Sequence, residues 1–195
     1  MLKRALDILV AAGVLLALWP LFILIAVAVW LDSGGPVFFS QERIGRGFGR
    51  FRIRKFRSMR PASRGPAVTA FGDQRVTRAG RVLRACKLDE LPQFWNVLIG
   101  EMSLVGPRPE VPEYVDLHRG RYATILSVRP GITDLASIRF RNEEQILSSA
   151  PDPLGHYREA LLPSKLDLAE QYVKTRSFGL DCRILFQTVL VTLMG

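Results

Sequence analysis

"ILVAAGVLLALWPLFILIAVAVWL", residues 8–31, carries no charged side chain, and its disposition decides the fold. A helix crossing a bilayer needs about 20 apolar residues, so a single-span anchor is the plain reading. The run follows a basic start, but it is too long for the apolar core of a signal peptide and lacks a small-x-small cleavage pattern. Two features argue against a straight span. Pro20 sits near the middle, where it removes a backbone hydrogen bond and crowds the preceding turn. Each half then holds about 12 residues, or about 18 Å of helix, which reaches only the bilayer midplane. Lys3 and Arg4 precede the run, and Arg43, Arg46, Arg50, Arg52, Arg54, Lys55 and Arg57 follow it. The positive-inside rule favours both flanks on the cytoplasmic side. A helix that bends at Pro20 and returns through one leaflet satisfies both features. A proline-kinked span is the alternative. Asp7, one turn after Lys3 and Arg4, is placed to pair with either cation or to stay solvated at the interface.

The chain has 195 residues and a net charge of +9, enough for one domain with a real core. A pI near 10.2 implies an anionic partner: nucleic acid, an anionic membrane surface or a phosphorylated substrate. Cys86 and Cys182 form neither a disulfide framework nor a metal-ligand pattern and read as reduced core thiols.

Beyond Gly34-Gly35-Pro36, the β-rich runs "VFFSQER" and "FRIRKFRSM" flank "IGRGFG" and predict a hairpin. Arg52, Arg54 and Arg57 alternate with Phe51, Ile53 and Phe56, a pattern suited to RNA, lipid headgroups or a nucleotide diphosphate, or to a solvated strand face. Residues 61–73, "PASRGPAVTAFGD", read as a mobile loop. A short helical stripe of Val76, Ala79, Val82 and Leu83 follows, with Arg75, Arg78, Arg81 and Arg84 on another face.

The reactive candidate is "KLDELPQFWN", residues 87–96. Leu91, Phe94, Trp95 and Leu98 predict one apolar helix face, closed by Gly100. Pro92 is tolerated only in a first turn, so that helix is expected to start near Asp89. Asp89 as N-cap and Glu90 in the first turn would simply complement the helix dipole. Their surroundings suggest more. Arg84 lies just upstream, and "SLVGPRPE", 103–110, brings Arg108 on a rigid Gly-Pro-Arg-Pro turn. Arginines suit bidentate phosphate recognition. Carboxylates among them can bridge to a diphosphate through a divalent cation, or one carboxylate can attack phosphorus.

Downstream, Tyr114, Leu117, His118, Arg121, Tyr122 and Ile125 predict an amphipathic helix, and "RPGITD", 129–134, a turn that closes the site. Residues 141–165 read as short helices broken by Pro151, Pro153 and Pro163, with Glu143-Glu144 as a solvated helix start. The apolar ending, Leu180 to Met194, is interrupted by Asp181 and Arg183, so it is expected to lie against a membrane face.

Together these stretches resemble the monotopic phosphoglycosyl transferases of the bacterial sugar transferase family. The resemblance rests on Lys3-Arg4 with Asp7, the proline-broken run, "PVFFSQERIG", "KFRSM", "LDELPQFWNVLIGEMSLVGPRPE", "RPGITD" and the "YV…SFGLD" ending. It implies an α+β fold: a re-entrant membrane helix hairpin over 1–34 and an interfacial catalytic domain over 35–195, with a small β-hairpin and several amphipathic helices. It also implies transfer of a sugar 1-phosphate from a UDP-sugar to a polyprenol phosphate such as undecaprenyl phosphate, with release of UMP, on the cytoplasmic face of a bacterial inner membrane. Asp89 matches the nucleophile. Glu90 matches its partner in the dyad, thought to help bind Mg²⁺ or deprotonate the acceptor, and both carboxylates are candidate metal ligands. Lys55, Arg57, Arg84, Pro107, Arg108, Pro109 and Asp167 are implied in substrate binding. The partners implied are the UDP-sugar, the lipid phosphate and the bilayer, with no nucleic acid. Trp19 stands where the family usually has Ser, leaving the bend to Pro20 and packing. A membrane-tethered basic binding module, with Asp89-Glu90 only a cap, is the contrasting reading.

Overall fold

A computed structural model describes residues 2–60 and 72–193. Most of the expected loop at 61–73 therefore lies outside the described residues. The apolar run forms two helices, α1 (Leu2–Ala17) and α2 (Trp19–Ser33), which bend by 63° at their junction. Pro20 falls in the first turn of α2, where a missing N–H costs little. The backbone stays bonded across the break, Leu18 N–H to the Val14 carbonyl and Phe22 N–H to the Leu18 carbonyl. No single helix is long and apolar enough to cross a membrane, but the bent pair passes that test together.

The expected hairpin is present. Strands β1 (Phe38–Ile44) and β2 (Arg50–Phe56) pair antiparallel from Phe38↔Phe56 to Ile44↔Arg50. Helix α3 (Arg78–Ala85) is capped by the Thr77 side chain. It crosses so close to the chain after β2 that a Cβ on Gly80 would stand 2.1 Å from the Ser58 carbonyl oxygen. Next come α4 (Gln93–Ile99), β3 (Ser103–Val105), α5 (Pro112–Leu117) and α6 (Arg119–Ile125). The expected helix around Tyr114–Ile125 is thus two helices, broken at His118. Strand β4 (Gly131–Thr133) pairs parallel with β3, so "RPGITD" is mainly a strand and the Asp134 cap of α7 (Leu135–Arg139) rather than a simple turn. The chain ends in α8 (Glu143–Ser148), α9 (Pro153–His156), a π-helical turn over Tyr157–Leu161, α10 (Leu162–Thr175) and α11 (Phe178–Leu193). Pro163 opens α10 instead of breaking it.

Three apolar clusters hold these elements. One packs α5, α6 and α10 through Tyr114, Tyr122, Ile125, Leu162 and Leu166. A second joins α1, β2, α4, β3 and α11 through Ala11, Ile53, Val97, Leu104 and Ile184. The third docks α2 on β2 and α3 through Ile25, Val29, Phe56 and Leu83.

One expectation holds only in part and another fails, for a shared reason: burial is set by neighbours distant in sequence. Of the expected α4 face, Leu91, Phe94 and Leu98 are partly buried against the core but Trp95 is 48% exposed, while Gln93, Asn96 and Val97 are the buried residues of the helix. Asn96 is inside because it stitches α4 to β2, accepting from Arg54 N–H at 3.1 Å and donating to the Arg52 carbonyl at 2.8 Å. Cys86 and Cys182 are free but exposed, not core thiols.

Polar bonds seat the base of α1. Asp7 is buried and pairs with neither Lys3 nor Arg4; its carboxylate accepts from Ser103 Oγ at 2.8 Å and Leu104 N–H at 3.1 Å. Lys3 instead reaches Asp181 at 2.7 Å and the Val105 carbonyl at 3.0 Å, and Arg4 donates to the carbonyls of Val97 and Leu98. Asp7→Ala strands two buried donors, at a cost of about 1–3 kcal/mol each. The expected loss is seen as a lower midpoint in urea unfolding of the detergent-solubilised protein, with Asp7→Asn losing less.

Candidate active site

Asp89 and Glu90 do not cap a helix. They lie on a single 3₁₀ turn, Leu88–Glu90, entered through Lys87 in a left-handed conformation with φ of 55°. α4 begins three residues beyond Glu90, at Gln93, with Pro92 at its N-cap and no side-chain cap bond. A non-glycine residue at positive φ is costly and persists where the surroundings enforce it. The acidic pair is therefore presented by a strained turn between α3 and α4.

The two carboxylates have opposite environments. Glu90 Oε1 receives both Lys55 Nζ at 2.6 Å and Arg108 Nη2 at 2.9 Å. Burial would push its carboxyl up, but Arg108 and Lys55 together outweigh that and hold it well below the usual carboxylate range. The same contact raises Arg108, whereas burial outweighs Glu90 at Lys55 and lowers the ammonium. Asp89 is 6% exposed and has no hydrogen bond or ion pair among the described residues. Burial raises its carboxyl above the ordinary value, against the nearby cation Lys55; Glu90 pushes the same way as burial. One acid is locked as an anion between cations, and the other is left bare with cations around it.

Arg108 reaches Glu90 because its loop is tied down on both sides. Gly106 N–H bonds the Thr133 carbonyl, Gly131 N–H the Pro107 carbonyl, and Arg108 N–H the Asp134 carboxylate at 3.1 Å. A Cβ on Gly106 would come within 2.4 Å of the Arg129 carbonyl oxygen, so the close approach of the β3 and β4 segments requires glycine there. Beneath the loop, Arg43 donates to the Pro109 carbonyl at 3.1 Å and lies 3.4 Å from Glu110, whose other oxygen accepts from Tyr157 at 3.0 Å.

Lys55, Arg57, Arg84, Asp89, Glu90, Pro107 and Arg108 line one cleft of about 2170 Å³, larger than a typical single-ligand pocket. Arg84 crosses it to pair with Glu144 on α8. Glu143 pairs with Lys165 at 2.7 Å, so the second acidic doublet is not merely a solvated helix start. Its clue in the sequence was the same as that of the first, adjacent acids in an arginine-rich chain. Pro109 serves through its carbonyl rather than by lining the cleft. Asp167 stands apart from it: 72% exposed at the side chain, it pairs with Arg121 at 2.6 Å on α10. Arg43, Glu110, Asp134, Glu144 and Tyr157 were missed as supports.

A metal would find two carboxylates here. No group of three or more His, Cys, Asp or Glu side chains suited to a metal occurs among the described residues. However, both cations on Glu90 use Oε1, leaving Oε2 without a hydrogen bond among the described residues. That donor set fits Mg²⁺, which commonly takes one or two carboxylates and completes its shell with substrate phosphates and water.

The family described as Bacterial sugar transferase matches residues 1–195. The chain is 42% identical over 193 residues to the UDP-glucose:undecaprenyl-phosphate glucose-1-phosphate transferase of Caulobacter vibrioides, covering 96% of this chain and 68% of that protein. It is 40% identical to the UDP-N-acetylgalactosamine-undecaprenyl-phosphate N-acetylgalactosaminephosphotransferase of Aeromonas hydrophila, covering 100% of this chain but 44% of the relative. With the Exopolysaccharide production protein PSS of Rhizobium leguminosarum bv. phaseoli it shares 37% identity over 97% of this chain and 94% of that one. A match over the whole chain, joined to a cleft that sets an unpaired aspartate beside a cation-clamped glutamate, leads to one assignment: this protein belongs to the bacterial sugar transferase family.

Proposed function

We propose that the protein moves a sugar 1-phosphate from a UDP-sugar to a polyprenol phosphate such as undecaprenyl phosphate, releasing UMP, through a phosphosugar ester on Asp89. The observation that carries this reading is the bare, buried Asp89 carboxylate beside Glu90, whose Oε1 is clamped by two cations. A carboxylate relieved of hydrogen bonds is the better nucleophile, and the surrounding cations offset its repulsion from a diphosphate.

In the first step an Asp89 oxygen forms a bond to the β-phosphorus. The bond from that phosphorus to the bridging oxygen breaks, and UMP leaves with the electron pair. In the second step an acceptor phosphate oxygen attacks the same phosphorus and returns Asp89 as a carboxylate. Arg108 and Lys55 hold their charge against the phosphoryl oxygens, and Arg84 exchanges Glu144 for a substrate phosphate. Glu90, held far down the acid range, is a poor proton acceptor; its work is to organise cations. Mg²⁺, held by Asp89 and Glu90 with substrate oxygens, would neutralise charge on the diphosphate.

The bent helix pair supports a re-entrant seat for residues 1–34 in the cytoplasmic leaflet, with 35–195 at the interface. Arms of 16 and 15 residues are about 24 and 22 Å long, and a symmetric 63° bend carries the apex about 12 Å deep, short of the other leaflet. Leu9, Leu16, Trp19, Leu24, Trp30 and Leu31 are exposed along it, more apolar surface than water tolerates. Such an enzyme would meet its lipid acceptor at the bilayer surface.

Incubation with a panel of UDP-sugars and Mg²⁺ should release UMP and leave a phosphosugar mass on Asp89 in a quenched digest. Asp89→Asn should lose both, with turnover down about 10³-fold or more; turnover retained in that variant sinks the nucleophile assignment.

The acid limb of kcat/KM should lie above the ordinary aspartate value of 3.8, because burial raises Asp89 and only its ionised form attacks.

The same burial makes the ionised side chain a stability cost above its raised pKa. Asp89→Asn should therefore raise the thermal midpoint by a few degrees near neutral pH, the gain fading as pH falls toward 3.8.

A further inference from the structure

The geometry points to a second anion position in the cleft: we propose that Arg57 receives the phosphate group of the lipid acceptor at the end of the cleft nearest the α1–α2 hairpin. This rests on the transfer reaction above and names where its second substrate sits.

Arg57 is buried, with 5% of its surface exposed, and lines the cleft. Its guanidinium is only partly used. Nη2 alone donates, to the Ser33 carbonyl at 3.2 Å, Ser33 Oγ at 2.9 Å and the Gly34 carbonyl. Nε and Nη1 are buried without a partner, and Arg57 forms no ion pair among the described residues. A buried charge left unpaired is expensive, and a buried guanidinium without a carboxylate is the signature of a missing anion. The three Nη2 bonds fix the head group to the last residues of α2 while leaving the other nitrogens for a ligand.

Position selects the ligand. Arg57 continues the β2 ladder, its N–H bonding the Val37 carbonyl at 2.9 Å. It lies two residues after Lys55, hence on the same side of the strand and about 7 Å further along. Lys55 grips Glu90, so the two cations are spaced along the cleft from the acidic pair toward the hairpin's exit. Beside Arg57 the cleft wall carries Phe38 and Phe39, 53% and 45% exposed. Trp30 and Leu31 are exposed on the last turn of α2 just before Ser33. A nucleotide sugar has no use for that apolar margin. An isoprenoid phosphate does: its head fits the orphaned guanidinium and its tail leaves along the aromatic and aliphatic side chains toward the bilayer.

The test uses the full chain in detergent, with geranylgeranyl phosphate as acceptor and, as donor, whichever of UDP-glucose and UDP-N-acetylgalactosamine releases UMP. Arg57→Gln should raise the acceptor KM tenfold or more and the donor KM less than twofold, with Arg57→Lys recovering part of the loss. Geranylgeranyl phosphate should raise the thermal midpoint of the wild type but not of Arg57→Gln, and the same concentration of inorganic phosphate should not. Equal loss for donor and acceptor, or an equal shift with inorganic phosphate, overturns the assignment. So does Ser33→Ala matching Arg57→Gln in acceptor KM, since the bonds to α2 would then be the whole role. Wild-type protein that forms no UMP from any UDP-sugar of the panel defeats the transfer reaction itself, an outcome separate from these.

Discussion

The cleft of this molecule depends on one buried ion cluster, Glu90 held by Lys55 and Arg108. The three residues come from a strained turn, a strand and a loop between two short parallel strands. None is close to another in sequence, and each is carried by a different piece of the core. The cluster cements those pieces around a fully ionised carboxylate, and it lets the neighbouring acid stand without a partner. A buried ion pair is weak evidence for stability, and what it does here is tie rigidly mounted partners together. Here the mounting is visible: β2 is fastened to α4 by Asn96, and the Arg108 loop by Gly106, Gly131 and Asp134.

A second polar network connects the apolar helices to that mounting. Asp7 holds the start of β3, and Lys3 joins Asp181 beneath the Val105 carbonyl, where Tyr172 also donates. Val105 is one residue before the Gly-Pro-Arg-Pro loop. The base of α1 is thus bonded to the strand that delivers Arg108, while the end of α2 is bonded to Arg57 and, through Asp32, to Ala79 N–H at the start of α3. Both ends of the bent pair touch elements that carry cleft residues. That arrangement suits chemistry between a water-soluble donor and a lipid-borne acceptor, because the apolar bent pair and the cleft residues share one frame.

Much of this was legible in the order of residues. The length of the apolar run and Pro20 foretold a break, and the helices do bend there. The β-rich runs around "IGRGFG" foretold the hairpin, and Gly100 closed α4 as expected, with φ of 92°. The misreadings share a pattern. Trp95, Cys86 and Cys182 were expected inside and proved exposed, while Gln93 and Asn96, outside the expected apolar face, proved to be buried. Periodicity reports which residues share a face, but a short helix wedged between a strand and a loop has more than one buried side. A polar side chain that completes a neighbour's backbone hydrogen bonds can occupy one of them.

The sequence by itself determined the chemistry on offer: an adjacent acid pair, a rigid arginine turn, an arginine-studded hairpin and an apolar segment broken by proline. What only the tertiary structure decided was the role of each charge. Asp89 and Glu90 are neighbours with equal claims in the sequence, and they differ because partners 35 and 18 residues away converge on Glu90 alone. Burial and electrostatic pairing act through space and fall off within a few ångströms. Until the chain has folded those distant cations into place, nothing local distinguishes the bare carboxylate from the clamped one.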